Sequence, residues 1–122
     1  MKILICEDAE ILLSAIELRL RKKGFELKLA PSGKVAIDIV QENPPDLMVA
    51  DLDMKDVSGL QFIRYIRHTL QLKLPILIIG NLEDEQDLLK AMHEGANDFL
   101  TKPFKPKELA LRIQNILSKN QA

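Results

Sequence analysis

Residues 45–59 read PDLMVADLDMKDVSG, and the fold is best predicted outward from this stretch. The run Leu47–Ala50 is short and entirely apolar, which is typical of a strand buried on both faces of a sheet. Asp51, Asp53 and Asp56 follow within six residues. Carboxylates at the carboxyl end of a buried parallel strand lie where open α/β sheets bind ligands. Crowded carboxylates repel one another, so the stretch predicts either a cation or protonated acids there, the alternative being a solvated acidic turn.

The length predicts one domain over residues 1–122, and a composition of 47% apolar and 29% charged residues is typical of a globular protein. A formal net charge of −1 gives no support for direct binding to nucleic acid or to a membrane surface. Cys6 is the only cysteine, so no disulfide can form within the chain, which fits a reducing compartment. No segment has the pattern of a signal peptide or the length of a membrane span, and we therefore expect a cytoplasmic protein.

Apolar periodicity predicts five strands alternating with five helices. The predicted strands are residues 3–6, 25–30, 47–50, 75–79 and 97–100. Ser32 and Ser58 are placed to cap the second and third helices, and Gly24 and Gly95 to end the first and fourth. The predicted buried stripes include Ile11, Leu12, Ala15, Ile16 and Leu20 in helix one, Val35, Ala36, Ile39 and Val40 in helix two, and Leu88, Leu89 and Met92 in helix four. This alternation predicts a doubly wound α/β fold with a parallel sheet.

Four of the predicted strands end in residues that can carry chemistry. In chain order these residues are Glu7-Asp8, Asp51, Gly80-Asn81 and Lys102. The carboxyl ends of the strands converge at one crevice in such a sheet. Acids from two strands make an oxygen-rich site for a hard cation, most simply Mg²⁺, and a lysine opposite them supplies a fixed positive charge.

This arrangement resembles the receiver domain of bacterial two-component response regulators, over essentially the whole chain. The matching motifs are Glu7-Asp8, Asp51-Leu52-Asp53-Met54 with Gly59, and residues 95–99 followed by Lys102-Pro103-Phe104. The resemblance implies a flavodoxin-like (βα)5 fold with strand order 2-1-3-4-5. It also implies phosphorelay signalling, in which a histidine kinase's phosphohistidine donates a phosphoryl group to Asp51, and a cis bond between Lys102 and Pro103.

The resemblance further implies a role for each site residue. Asp8, Asp51 and the main-chain carbonyl of Asp53 would hold Mg²⁺, with Glu7 acting through water. Lys102 would pair with Asp51 at rest and with a phosphoryl oxygen afterwards. The domain would be a phosphoacceptor rather than a turnover enzyme, and would assist its own phosphotransfer and dephosphorylation.

Three departures from the family pattern, at Gly80, Asn81 and Lys55, affect this expectation, and so does the residue at the family's aromatic switch position. Gly80 stands where the family carries the threonine or serine whose hydroxyl grips the phosphoryl group. Asn81 either caps helix four or donates the missing hydrogen bond through its amide. Lys55 replaces the usual proline, and Phe99 fills the aromatic switch position without a hydroxyl.

Two other functions compete with this hypothesis. A receiver-like binding module that works without phosphorylation is motivated by Gly80. A phosphatase of the haloacid-dehalogenase type is motivated by Asp51-Leu52-Asp53, but Lys55 departs from that motif, which also normally follows the first strand. A flavodoxin-like cofactor site is disfavoured because Glu7 and Asp8 would repel a phosphate.

Helix four, strand five and helix five resemble the face through which some response regulators dimerise. Glu108 and Arg112 match two of the charges on that face, but Leu88 and Asn97 stand where their partners are expected. We therefore expect a monomer, or a dimer formed in another way, with this face binding a downstream protein.

Overall fold

The computed structural model describes residues 1–120, and its sheet is the one predicted. The strands are β1 (Lys2–Cys6), β2 (Glu26–Ala30), β3 (Leu47–Asp51), β4 (Ile76–Asn81) and β5 (Asp98–Lys102). The helices are α1 (Glu10–Lys22), α2 (Gly33–Glu42), α3 (Gly59–Arg64), α4 (Glu85–Glu94) and α5 (Pro106–Asn120). A π-helical turn (Tyr65–Thr69) extends α3, and a 3-10 turn (Leu82–Asp84) precedes α4.

All neighbouring strands are parallel, in the order β2-β1-β3-β4-β5. This confirms the flavodoxin-like doubly wound fold. Cys6 pairs with Ala50 and Asp51 pairs with Ile79, so β1, β3 and β4 end at the same edge of the sheet. The register therefore brings the polar residues that follow these strands together.

The core lies in two layers, one on each face of the sheet. Side chains of β3 alternate between them: Met48 and Ala50 face α2, α3 and α4, whereas Leu47 and Val49 face α1 and α5. All four are at most 1% exposed. The prediction of a strand buried on both faces is thus confirmed, and this double burial fixes where Asp51 emerges.

Three residues of the predicted helix stripes are exposed, and those predictions were wrong. Ile11 is 89% exposed, Val35 39% and Leu89 57%. Successive residues of a helix are rotated by about 100°, so the neighbour of a core residue often faces water. In α4 the core is met by Leu88 and Ala91, three positions apart.

The helix termini follow the predicted signals. Ser32 Oγ accepts the N–H of Val35, and Ser58 forms a complete capping box with Gln61. Gly95 ends α4 with φ +125°, a conformation that favours glycine. Three strands end later than predicted: β3 includes Asp51, β4 includes Gly80 and Asn81, and β5 reaches Lys102. Within residues 1–120, no helix has both the length and the apolarity required to cross a membrane.

The carboxyl end of α4 is fastened by Arg67 from the π-helical turn. Its guanidinium donates to the carbonyl oxygens of Gly95 and Leu72 and to Oδ1 of Asn97, at 2.9–3.1 Å. Arg64 adds an ion pair to Glu94 at 3.0 Å. One end of α4 is thus bound to α3, and its amino end meets β4 at Gly80.

Candidate functional site

Three carboxylates meet at the carboxyl edge of the sheet. Glu7 and Asp8 follow β1 directly, and Asp51 is the last residue of β3. One carboxylate oxygen from each lies within 4.8 Å of the others. Glu7 is 1% and Asp51 3% exposed, and Asp8 is partly exposed. The alternative of a solvated acidic turn over Asp51, Asp53 and Asp56 is wrong for Asp51, which is buried, although Asp53 and Asp56 are exposed.

Lys102 is the countercharge to this group. Its Nζ lies 2.5 Å from Oδ2 of Asp51 and 3.4 Å from Oε1 of Glu7. Burial acts to lower the pKa of Lys102, but its interactions with Asp51 and Glu7 outweigh that effect and raise it. The ammonium group therefore stays charged at neutral pH. The Lys102–Pro103 bond that follows it is cis, as the resemblance implied.

Glu7 is the most perturbed acid of the site. Burial, followed by the neighbouring carboxylate of Asp51, raises the pKa of Glu7 to about 7. Its Oε2 accepts the N–H of Ala9 at 3.0 Å, whereas its buried Oε1 accepts no hydrogen bond from residues 1–120 and has only the ion pair with Lys102, at 3.4 Å. A buried oxygen without a partner costs free energy, which a proton or a cation would offset.

Backbone N–H groups orient the other two carboxylates. The N–H of Asp53 donates to Oδ1 of Asp51 at 2.9 Å, and the N–H of Lys55 donates to Oδ2 of Asp8 at 3.2 Å. Both donors belong to the β3–α3 loop, residues 52–58. This loop therefore determines how the carboxylates face one another.

The acidic group fits a small divalent cation. Its donors are all carboxylate oxygens, the ligands that Mg²⁺ takes in proteins, and the Oε1 atom of Glu7 accepts no hydrogen bond from the described residues. The carboxylate of Asp53 lies outside this group and beside Asp84. Burial, and then the neighbouring carboxylate of Asp84, raise the pKa of Asp53. A role for the main-chain carbonyl of Asp53 remains a prediction.

Gly80 lies on the face of β4 that packs against α4. A Cβ atom added to it would lie 3.0 Å from Cδ2 of Leu88 and 3.4 Å from Cδ2 of Leu52. The two leucines therefore occupy the space that a larger side chain would need. Phe99 is partly buried and packs against the same core layer, which leaves its switching role a prediction.

The interpretation of Asn81 as the cap of helix four was wrong. A 3-10 turn separates Asn81 from α4, and its side chain makes no capping hydrogen bond. Asn81 instead lines a groove of about 430 Å³ with Lys102 and three apolar residues, Leu12, Pro103 and Phe104. Asn81 thus lines the same groove as the lysine of the site, and donation by its amide to a bound group remains a prediction.

The structure also shows two interactions that the sequence analysis missed. Asp56, the third acid of the opening stretch, turns away from the acidic group and binds the N-terminus of α2. Arg112 binds Asp98 of its own chain at 3.0 Å. Leu88 is 1% exposed, which confirms its predicted place in the buried stripe of helix four, so this position belongs to the core and offers no charge on the surface. Side chains of a strand alternate between the two faces of the sheet, and Leu100 of β5 packs in the layer that contains α5. Asp98, two residues earlier, lies on the same face, and this alternation would have predicted Asp98 rather than Asn97 as the partner of Arg112.

Comparison with known proteins identifies the family. Residues 3–114 match the sequence model of the response regulator receiver domain, and the chain belongs to this family. Among solved structures, a two-component response regulator from Clostridium difficile is 25% identical with a TM-score of 0.92, and the alignment covers 100% of this chain and 99% of that one. The receiver domain of the Francisella response regulator 1452 is 27% identical with a TM-score of 0.88, covering 99% and 98%.

Two curated relatives are full-length regulators. The cell cycle response regulator CtrA of Brucella ovis is 31% identical over 121 residues, which are 99% of this chain and 52% of CtrA. The alkaline phosphatase synthesis transcriptional regulatory protein PhoP of Bacillus subtilis is 29% identical over 120 residues, 98% of this chain and 50% of PhoP. The chain thus spans about half the length of these relatives. It is a response regulator receiver domain of two-component signalling.

Proposed function

We propose that residues 1–122 form one receiver domain that accepts a phosphoryl group on Asp51, with Mg²⁺, in the cytoplasm. The donor is a phosphohistidine of a sensor histidine kinase or of a phosphotransfer protein. The observation that carries this proposal is the contact between Lys102 Nζ and Asp51 Oδ2, at 2.5 Å, within a group of three carboxylates.

The phosphorylation step is a nucleophilic attack by Asp51 on phosphorus. A carboxylate oxygen forms the new P–O bond, the P–N bond of the donor breaks, and the histidine nitrogen leaves with the electron pair. The approach of two anions makes the barrier largely electrostatic. Bound Mg²⁺ supplies positive charge that offsets this repulsion.

The chain's own residues position the nucleophile and receive the product. Asp51 Oδ1 is held by the N–H of Asp53, and Oδ2 is held by Lys102. When the phosphoryl group is transferred to Asp51, Lys102 exchanges its hydrogen bond to the carboxylate for one to a phosphoryl oxygen. Because the lysine never leaves the site, the negative charge is compensated before and after transfer.

The groove beside Lys102 supports an approach path for the donor. Its lining combines the polar Asn81 and Lys102 with Leu12, Pro103 and Phe104. Such a lining suits a partner segment that carries a histidine amid apolar residues. The downstream partner, in this proposal, is a protein that binds the surface formed by α4, β5 and α5.

A second candidate function is a binding module that signals without phosphorylation. The observation that favours it is the environment of Gly80. Glycine has no hydroxyl to offer the phosphoryl group, and Leu52 and Leu88 fill the space that a side chain would occupy. Incubation with acetyl phosphate and Mg²⁺, followed by intact mass measurement, separates the two candidates. A gain of one phosphoryl group supports the first, and an unchanged mass supports the second.

A further inference from the structure

The first turn of α2 is bound by a carboxylate from a distant part of the chain. Oδ1 of Asp56 accepts the N–H of Gly33 at 2.9 Å, and Oδ2 accepts the N–H of Lys34 at 3.0 Å. The first N–H groups of a helix have no partner within it and carry partial positive charge. The hydrogen bonds from Gly33 and Lys34 lower the pKa of Asp56. The carboxylate is therefore charged at neutral pH, which strengthens both bonds.

The loop and the helix approach closely at this point. A Cβ atom on Gly33 would lie 2.7 Å from Cβ of Val57 and 3.2 Å from Oδ1 of Asp56. Real Cβ contacts are not this short, so the absence of a side chain at Gly33 permits the approach. The β3–α3 loop is thus fastened to α2 by packing as well as by hydrogen bonds.

The residue before Asp56 reaches the acidic group. The N–H of Lys55 donates to Oδ2 of Asp8 at 3.2 Å. On the other side of Asp56, Ser58 begins α3 with its capping box. Asp56 therefore fastens the loop to α2 one residue beyond the N–H group that orients Asp8.

We propose that Asp56 is a positioning residue for the cation site. By fastening the β3–α3 loop to α2, it keeps the N–H of Lys55 on Asp8 and so fixes the direction of that carboxylate within the acidic group. Asp56 acts through Lys55 and Asp8 and does not itself bind the cation. This inference rests on the Mg²⁺ site of the proposed function.

The simplest alternative is that Asp56 only caps α2. The chain offers a matched control, because Ser32 caps the same helix through Val35 at 3.2 Å and makes this bond outside the β3–α3 loop. Asp56→Ala and Ser32→Ala both remove a cap from the first turn. Only Asp56→Ala also releases the loop that orients Asp8.

The test is a Mg²⁺ titration of the isotope-labelled protein at neutral pH, followed by amide chemical shifts, with melting temperatures measured in parallel. Asp56→Ala should weaken Mg²⁺ binding about tenfold, the lower end of losses seen when groups that orient metal ligands are removed. Asp56→Asn keeps one acceptor oxygen, so it should fall between that variant and the wild type. Ser32→Ala should lower the melting temperature and leave the Mg²⁺ affinity unchanged. In metal-free protein, the Lys55 amide should shift in Asp56→Ala and not in Ser32→Ala.

Two results would overturn the proposal. One is wild-type Mg²⁺ affinity in Asp56→Ala and Asp56→Asn. The other is an equal loss of affinity in Ser32→Ala, which would mean that the loss follows the helix cap. A wild type that shows no Mg²⁺-dependent shifts would contradict the cation site itself, and with it the role of Asp56. If only the positioning role fails, the wild type still binds Mg²⁺ and the Asp56 variants bind it with the same affinity.

Discussion

A Cβ atom on Gly80 would lie 3.0 Å from Cδ2 of Leu88, so the first turn of α4 packs directly on the end of β4. The hydroxyl of the threonine or serine usual in receiver domains is absent here, and side chains of the core fill the space that it would occupy. Arg67 holds the other end of α4 at Gly95. We expect these contacts to keep α4 in one position whether or not Asp51 is phosphorylated.

The first prediction is a weak conformational response to phosphorylation. A hydrogen bond to a charged group contributes about 1.5–3 kcal/mol, and a ligand shifts a conformational equilibrium only by the contacts that differ between its states. With beryllofluoride as the phosphoryl analogue, amide shifts of the wild type should be large near Asp51 and Lys102 and small in α4 and β5. Gly80→Ser, which restores a hydroxyl, should enlarge the shifts in α4.

Large wild-type shifts across α4 and β5 would contradict this prediction. In that case Asn81→Ala becomes decisive, because Asn81 lines the same groove as Lys102. Loss of the shifts in Asn81→Ala would identify the Asn81 amide as the replacement contact.

The second prediction concerns the packing of Gly80 against Leu88. Gly80→Thr should destabilise the protein by about 1–3 kcal/mol, because extra atoms are forced into a filled space. Leu88→Ala should cost about 2–5 kcal/mol by leaving a cavity. The double variant should cost less than the sum, since the new side chain occupies part of that cavity. Urea unfolding of all four proteins measures this coupling, and additivity within about 0.5 kcal/mol would contradict the packing.

The third prediction is a stability that falls as pH rises in metal-free protein. The pKa of Glu7 is raised from 4.5 to about 7 in the folded protein, mainly by burial. Between these pH values the folded state binds more protons than the unfolded state, so the free energy of unfolding decreases as pH increases. Above about pH 7 Glu7 is ionised in both states, and its contribution stops changing.

Thermal melts from pH 4.5 to pH 7.5 without Mg²⁺ measure this effect. Glu7→Gln should be more stable than the wild type at the upper end and should flatten the dependence. Stability of the wild type that instead rises steadily through this range, with the same slope in Glu7→Gln, would show that Glu7 is not the titrating group.

The fourth prediction is that phosphorylation does not produce a dimer through α4, β5 and α5. Arg112 is engaged by Asp98 and by the carbonyl of Phe99 in its own chain, and Glu108 accepts the N–H of Lys105. Surface ion pairs contribute only about 0–1 kcal/mol, so their main effect is on specificity. Sedimentation should give a monomer with and without beryllofluoride. A dimer that forms with beryllofluoride and is weakened by Glu108→Ala and Arg112→Ala would contradict this.

The fold could be predicted because short apolar runs, such as that of β3, alternate with stretches of helical periodicity, which is the pattern of a doubly wound parallel sheet. The acidic group could be predicted because the carboxyl ends of parallel strands must share an edge. Which face of each helix is buried was harder to predict, because apolar residues next to a core stripe can still be exposed. Ile11, Val35 and Leu89 are examples.

The sequence also left the partners of individual polar side chains undecided. Asp53 and Asp56 lie close to Asp51 in sequence, but their carboxylates do not join the acidic group. The carboxylate of Asp53 faces Asp84, and that of Asp56 binds the N-terminus of α2. The direction of each carboxylate depends on the geometry of the β3–α3 loop and on its close approach to α2 at Gly33. That approach is a contact between segments distant in sequence, so the local sequence does not reveal it.

The most direct test of the account is the intact mass of the protein after incubation with acetyl phosphate and Mg²⁺. The wild type should gain one phosphoryl group, Asp51→Asn none, and Asp8→Ala much less because the acidic group loses a ligand. Asp46→Asn is the matched control, since this exposed acid lies beyond the opposite end of β3, where its carboxylate accepts the N–H of Lys2. It should gain mass like the wild type. Full labelling of Asp51→Asn, or no labelling of the wild type, would contradict the assignment of Asp51 as the phosphoacceptor.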